Sequence, residues 1–174
     1  MHVWIERMNC NNIINKIIFR QVNENELDKV LFLYNEAKKN PFCVWGDEYP
    51  TMNEIIEDFS TNNLYVCVFN DKIISAISVV PKNEMDHINV WSIKENVIEV
   101  ARVVVSQEYS GNNIACFMMN SLIIIKRKEN VKAIHLACQC DNIPAIKTYE
   151  KLNFKFIKKH NMYGHTYYLC ELLL

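Results

Sequence analysis

Nine consecutive residues, Val97-Ile98-Glu99-Val100-Ala101-Arg102-Val103-Val104-Val105, constrain this chain more than any other stretch. A run so nearly continuous in Val and Ile has no polar face to turn toward water. It is therefore expected as a central strand buried on both sides. Glu99 and Arg102 are the charges inside it. Before it, residues 64–69 and 72–80 read as two strands joined by Asn70-Asp71, turn residues in the right place for a hairpin. After it, residues 112–129 carry Ala115, Met118, Met119, Leu122 and Ile125 on one helical face. A strand over 131–137 and a helix over 143–152 follow.

The remaining elements complete the order. Residues 16–21 are expected as a short strand, and 24–39 as a helix with Leu27, Val30, Leu31, Leu33 and Tyr34 on its apolar side, stopped by Asn40-Pro41. Pro50-Thr51 opens a second helix, with Thr51 as N-cap and Glu54 three residues on forming a capping box. A polar stretch spans 81–95, and residues 154–159 and 167–173 close the chain as a hairpin. The order β-α-α-β-β-β-α-β-α-β-β sets antiparallel hairpins around a strand–helix–strand unit. The expected class is α+β, often filed with α/β: a mixed, mostly antiparallel central sheet flanked by helices on both faces. Residues 1–15 form a polar, Asn-rich leader without periodicity, and residues 16–174 a single domain.

With 174 residues and 20.5 kDa, the chain has the size of one domain. Half its residues are hydrophobic and 22% charged, which excludes disorder as a description of the whole. A net charge of −1 supplies no field for steering toward nucleic acid or an anionic bilayer. A small-molecule or local-patch partner is expected, with no nucleic acid and no membrane. The first residues lack the pattern of a signal peptide, and no apolar run approaches the roughly eighteen residues of a membrane span. Seven cysteines at scattered positions fit a reducing cytoplasm better than a disulfide scaffold. Cys138 and Cys140 share one face of a strand, where thiols are packing groups. No metal is expected.

Two segments depart from generic packing. The first joins the central strand to its helix, Ser106-Gln107-Glu108-Tyr109-Ser110-Gly111-Asn112-Asn113-Ile114-Ala115. A helix that starts after a tight polar loop presents unpaired N–H groups and a positive dipole end, a ready site for phosphates. Taken alone it is equally an ordinary strand-to-helix loop with an Asn cap. The second is Asp141-Asn142-Ile143-Pro144-Ala145-Ile146-Lys147-Thr148-Tyr149-Glu150-Lys151-Leu152-Asn153-Phe154, a capped helix with a Tyr near its end. As a pattern it resembles the Asn-x-x-Ala-x-x-x-Tyr-Glu-Lys-Leu-Gly-Phe signature of the GNAT superfamily of N-acetyltransferases. The upstream junction is similar to that family's pyrophosphate loop, Arg/Gln-x-x-Gly-x-Gly/Ala. Three positions differ: Ser110 replaces the Arg, Asn113 the middle Gly, and Asn153 the Gly of the second motif. Asn is the non-Gly residue that best tolerates a left-handed backbone, so the loop geometry is expected to survive. Loss of the Arg removes one donor from a cradle made chiefly of backbone N–H groups.

The resemblance implies acetyl-CoA, or another acyl-CoA, as co-substrate. Its pantetheine arm would lie along Val103, Val104 and Val105, pairing like an added strand. Its pyrophosphate would rest on Ser110, Gly111, Asn112, Asn113, Ile114 and Ala115. Asn142 would hold the cofactor's amide or the strand gap. Tyr149 corresponds to the family's proton donor to the leaving thiolate. Glu99 stands where several members keep a general base; the alternative is a carboxylate paired with Arg102 or another core cation. The acceptor side would come from residues 42–49 and 81–96, with Trp45, Asp47, Glu48 and Tyr49 forming an aromatic and acidic mouth for an amine. The implied function is transfer of a short acyl group to a primary amine of a small molecule or peptide by direct attack in a ternary complex. Two alternatives stand beside it: an acyl-CoA-binding regulatory module with little turnover, and a protein lysine or N-terminal acetyltransferase. A cytoplasmic monomer or homodimer is expected in each case.

Overall fold

Seven strands form one sheet in the order β1-β2-β3-β4-β5-β7-β6. They are β1 (Ile18–Gln21), β2 (Leu64–Phe69), β3 (Lys72–Val80), β4 (Val97–Val105), β5 (Ala133–Gln139), β6 (Lys155–Met162) and β7 (His165–Leu173). The α-helices whose full extent lies among the described residues are α1 (Leu27–Ala37), α2 (Met52–Ser60), α3 (Ile114–Lys128) and α4 (Ile143–Lys151). All neighbouring strands run antiparallel except β4 and β5, which are parallel. The computed structural model describes residues 13–80 and 85–174. Most of the leader expected over 1–15 lies outside the described residues. Its end does not behave as a leader: Ile13 is only 3% exposed and packs with Ile17 into the main core.

Local chemistry explains the elements that guide the chain. Asn70 and Asp71 take φ of 47° and 61°, which closes the β2–β3 hairpin with a twist matching its strands. At the start of α2 the Thr51 hydroxyl accepts from the Asn53 N–H at 3.2 Å, and the Glu54 carboxylate accepts from the Thr51 N–H at 2.6 Å. Two donors of the first helical turn are thereby satisfied. Tyr163 and Gly164, at φ 52° and 76°, turn a β6–β7 hairpin longer than expected at both strands. Its tip is polar and exposed, so no apolar alternation announces it.

The core lies in two layers. Met118, Met119 and Leu122 of α3 and Tyr149 of α4 pack on Ile77, Val100, Ile134, Leu136 and Cys138 from one side of the sheet. Val30, Leu33 and Tyr34 of α1 and Ile55 of α2 pack on Val66, Ala76 and Val104 from the other. Side chains alternate along a strand, so Ala137 points away from Leu136 and Cys138. There it meets a third cluster, built on Met85, Ile88, Trp91 and Leu169. The stretch expected to be merely polar over 81–95 therefore buries three large side chains within its described part. They are separated by Asp, His and Asn at no regular period, so no hydrophobic pattern announces them. Glu171 pins this segment: it accepts from the Ser92 N–H at 3.0 Å, the Ser92 hydroxyl, the Ile93 N–H at 3.3 Å and His135 Nε2 at 3.1 Å. The His135 ring stacks on Trp91 at 4.0 Å. Among the described residues no helix is long and apolar enough to cross a membrane.

Candidate active site

The sheet opens at its centre. β4 pairs with β5 only through Val97–Ala133, Ile98–Ile134 and Glu99–His135, whereas β5 continues along β7 as far as Gln139. From Val100 to Val105 the edge of β4 that faces β5 has no strand beside it among the described residues. A bulge accompanies the parting. Ala76 pairs with Val104 and Ser78 with Ala101, so Arg102 and Val103 together oppose Ile77. Arg102 takes φ of 51°, in the left-handed region, and such a bulge bends and twists its strand. The gap is a groove of about 1400 Å³ with β4 on one wall and Ala137, Cys138 and Gln139 on the other.

At one end of the groove the contacts on offer belong to the main chain. Gly111 and Asn113 have φ of 79° and 58°, so Asn113 does adopt the backbone that a glycine would; Asn153, at 62°, does the same after α4. A Cβ at Gly111 would meet nothing within 4 Å, so its backbone angle and not crowding favours glycine there. Asn113 stands at the N-cap of α3, but its side chain makes no capping bond; its Oδ1 accepts from Lys151 Nζ at 3.3 Å. The first amides of a helix have no intrahelical acceptor, and α3 aims them into the groove beside Lys147 and Lys151. The exposed edge of Val103, Val104 and Val105 leads straight to this cradle. Ser110, Gly111, Asn113, Ile114 and Ala115 all line it, with Asn112 between them bonding back to the Tyr109 carbonyl at 3.0 Å. These residues fit a pyrophosphate on an amide-bearing arm. Asn142 also lines the groove, with its Oδ1 accepting from the Ala145 N–H at 3.1 Å to cap α4.

Tyr149 reaches the middle of the groove from α4. It is 6% exposed, with its ring edge-on to Phe154 at 5.5 Å. Burial, with Cys138 and Cys170 beside it, pushes its hydroxyl well up, so it stays protonated at neutral pH. Burial likewise pushes the Cys138 thiol up to about 12, which keeps it neutral and unreactive. Glu99 sits in the last paired position before the strands part, opposite His135, with its Oε2 buried. It does not line the groove wall, which begins at Val100.

The other end is made of side chains. Arg102 forms a fork with Asp58, with Nη2 at 2.7 Å from both carboxylate oxygens and Nε at 3.1 Å from Oδ2. The same guanidinium donates from Nη1 to the Tyr49 hydroxyl at 2.8 Å and from Nε to Ser78 Oγ at 3.3 Å. The two charged side chains are 9% and 2% exposed. Burial works against the Arg102 cation, but Tyr49 and Asp58 outweigh it and hold the group above its ordinary value. Arg102 is thus paired with Asp58, not with Glu99. Trp45 lines the groove and packs edge-on to Tyr34 at 5.5 Å and Tyr49 at 6.4 Å. Across from it stands Tyr167 of β7, whose hydroxyl is pushed up by burial, with Cys43 and Tyr49 adding to the effect. Asp47 and Glu48 are exposed and form no part of the wall. Asp58, Ser78, Tyr34, Cys43 and Tyr167 were not foreseen here. The one signal was a charge, Arg102, inside a run of Val. Among the described residues no three His, Cys, Asp or Glu side chains stand together as a metal site would require.

Comparison with known proteins agrees with this geometry. Residues 30–154 match the model of the acetyltransferase (GNAT) family. An N-alpha-acetyltransferase of Saccharolobus solfataricus is 30% identical over 97 residues, a match that spans 54% of this chain and 57% of that protein. The chain thus spans little more than half the length of that relative. Two solved structures share the fold at low identity. The ribosomal-protein-alanine N-acetyltransferase of Brucella melitensis superposes with a TM-score of 0.74 at 16% identity, over 90% of this chain and 99% of its own. The PaiA N-acetyltransferase of Thermoplasma acidophilum, in complex with coenzyme A, gives 0.68 at 17% identity, over 91% and 99%.

Proposed function

Because the chain belongs to the GNAT family of acetyltransferases, we propose that it moves an acetyl group from acetyl-CoA to a primary amine of a small molecule or peptide, by direct attack in a ternary complex. One observation carries this reading: an open strand edge, Val103 to Val105, runs directly into an uncapped helix N-terminus at Asn113. Acetyl-CoA supplies a thioester open to attack and a thiolate leaving group. The β4 edge offers N–H and C=O groups to an amide-bearing arm, as to an added strand. The amides of residues 111–115 and the dipole of α3 favour the pyrophosphate. A β4 N–H near Val103 can meet the oxyanion, and Tyr149 donates toward the departing sulfur. An alkylammonium with pKa ~10 must lose a proton before it attacks. Glu99, behind the wall, takes that proton through water. Holding both reactants in one groove supplies much of the rate.

Likeness to an N-alpha-acetyltransferase supports a peptide N-terminus among the acceptors. The setting proposed is the reducing cytoplasm, with a monomer or homodimer and no nucleic-acid or membrane partner. Ser110 favours one rival reading, an acyl-CoA-binding module with little turnover. A paired measurement tests both. CoA should raise the unfolding free energy by about 2.7 kcal/mol at a hundred times its Kd, and dephosphorylated pantetheine far less. Equal shifts from the two would remove the phosphate cradle. Thiol release from acetyl-CoA with a panel of amines and N-terminal peptides then separates an enzyme from a binding module.

A further inference from the structure

Arg102 does more than neutralise Asp58. An ion pair alone would tie α2 to β4, and the fork of Nε and Nη2 already achieves that. The remaining donor, Nη1, leaves α2 altogether and reaches Tyr49, at the end of the segment that joins α1 to α2. The guanidinium also lies 5.9 Å from the centre of the Tyr49 ring. From Tyr49 the contacts pass to Trp45, from Trp45 to Tyr34, and from the Tyr34 hydroxyl to Ser78 at 3.3 Å. Ser78 then returns to Arg102. The circuit closes on itself. It holds the connecting segment at two points, Trp45 and Tyr49, against a residue whose own backbone makes the bulge in the groove wall.

With the pyrophosphate placed on the amides of α3, the end of the groove beside this circuit is the one left for the acceptor. Trp45, Cys43 and Tyr167 line that end of the groove, while Tyr49, 38% exposed, stands outside the wall and reaches it through Trp45 and Arg102. Asp58 balances the charge of Arg102, so the circuit contributes geometry and little net field.

We propose that Arg102 is a positioning residue for the acceptor. Through Tyr49 it fixes residues 42–49 over the β4 bulge, so that acceptor affinity depends on a guanidinium the acceptor does not touch. This rests on the acyltransferase reading above. The variant that tests it is Tyr49→Phe, which deletes the accepting oxygen and keeps the ring packed on Trp45. Three measurements on it are compared with the wild type: CoA affinity by calorimetry, amide hydrogen exchange across residues 42–49, and kcat and KM for an acceptor from the amine panel. CoA affinity should stay as it is, and the melting temperature should fall only modestly, by the loss of one hydrogen bond to Arg102. Exchange over 42–49 should accelerate severalfold, and acceptor KM should rise about tenfold with kcat little changed, the mark of lost uniform binding. The rise should be similar for cationic and neutral acceptors and insensitive to salt. Arg102→Lys keeps the charge but not the fork, and should loosen α2 as well; should it not fold, Tyr49→Phe decides alone. Unchanged exchange, or an unchanged acceptor KM in an active enzyme, overturns the proposal and leaves the acyltransferase reading standing. A wild-type protein that releases no thiol with any amine overturns both.

Discussion

The cofactor end of the groove offers mainly main-chain groups: the edge of Val103 to Val105 and the amides that begin α3. The acceptor end offers side chains, gathered from Tyr34, Tyr49, Asp58, Ser78 and Arg102. A site made of backbone tolerates substitution as long as the chain keeps its path. Ser110 and Asn113 stand where the family pattern has Arg and Gly, yet the loop keeps its left-handed turn at φ 58°. A site made of side chains has no such latitude. Each member contacts the next, all but Tyr49 are largely buried, and removing one strands another.

The largest consequence of that contrast concerns stability. Asp58→Leu should leave the Arg102 cation buried without its counterion and cost about 3–5 kcal/mol in chemical denaturation. Adding Arg102→Met should restore most of the loss, since an apolar pair avoids the desolvation of both charges. A double variant as unstable as the single one would mean that the bulge itself requires Arg102, and the two ends would then be less distinct than described.

Next in size is an effect at the junction of the two ends. Tyr149→Phe keeps the ring against Phe154 and deletes the proton donor. Its kcat should fall roughly 10- to 1000-fold with CoA affinity unchanged. Full turnover in this variant would make Tyr149 a packing residue of the cofactor end.

The smallest effect is a pH dependence at the start of α1, the helix whose far end leads into residues 42–49. Arg20, with hydrogen bonds of 2.8 Å to each oxygen, holds the Glu26 carboxyl at about 2, well below the usual 4.5. A depressed folded value means that the stabilisation is complete above pH ~4.5 and drains as pH falls toward 2. About 1–2 kcal/mol is expected, because Arg20 is partly open to solvent. Glu26→Gln should flatten the acid limb of the stability curve by that amount. Hydrogen exchange at low pH should rise first around α1, just after Glu26, while α3 and α4 stay protected. Uniform loss of protection would argue that the two ends unfold as one.

Legibility in the sequence follows the same division. The bounds of β2, β3 and β4 could be read directly, because an Asn-Asp turn and an unbroken Val run are local signals. So could the capping box of α2 and the loop before α3, whose chemistry lies within ten residues. The circuit around Arg102 spans positions 34 to 102, and no single stretch announces it. Asp47 and Glu48 looked like an acidic mouth by proximity to Trp45, yet they face solvent, while Asp58 on the next helix reaches inward. Glu99 looked central because its strand is. Whether it faces the groove depends on where β4 and β5 separate, a point that hydrophobic pattern alone does not show.

The parted strands also bear on how the protein is made. The half of the sheet from β1 to β4 ends at Val105, and the half from β5 to β7 begins at Ala133, so the ribosome delivers one complete half before the other. Until β5 emerges, the whole Val-rich edge of β4 is open to any strand nearby. At ~5–20 residues per second that interval lasts a few seconds. β5 then covers three positions, and the rest stay open in the finished protein, where the proposed cofactor arm would lie. Nascent-chain aggregation and cofactor capture therefore draw on the same six residues, and a change that makes that edge a better partner for one makes it a better partner for the other.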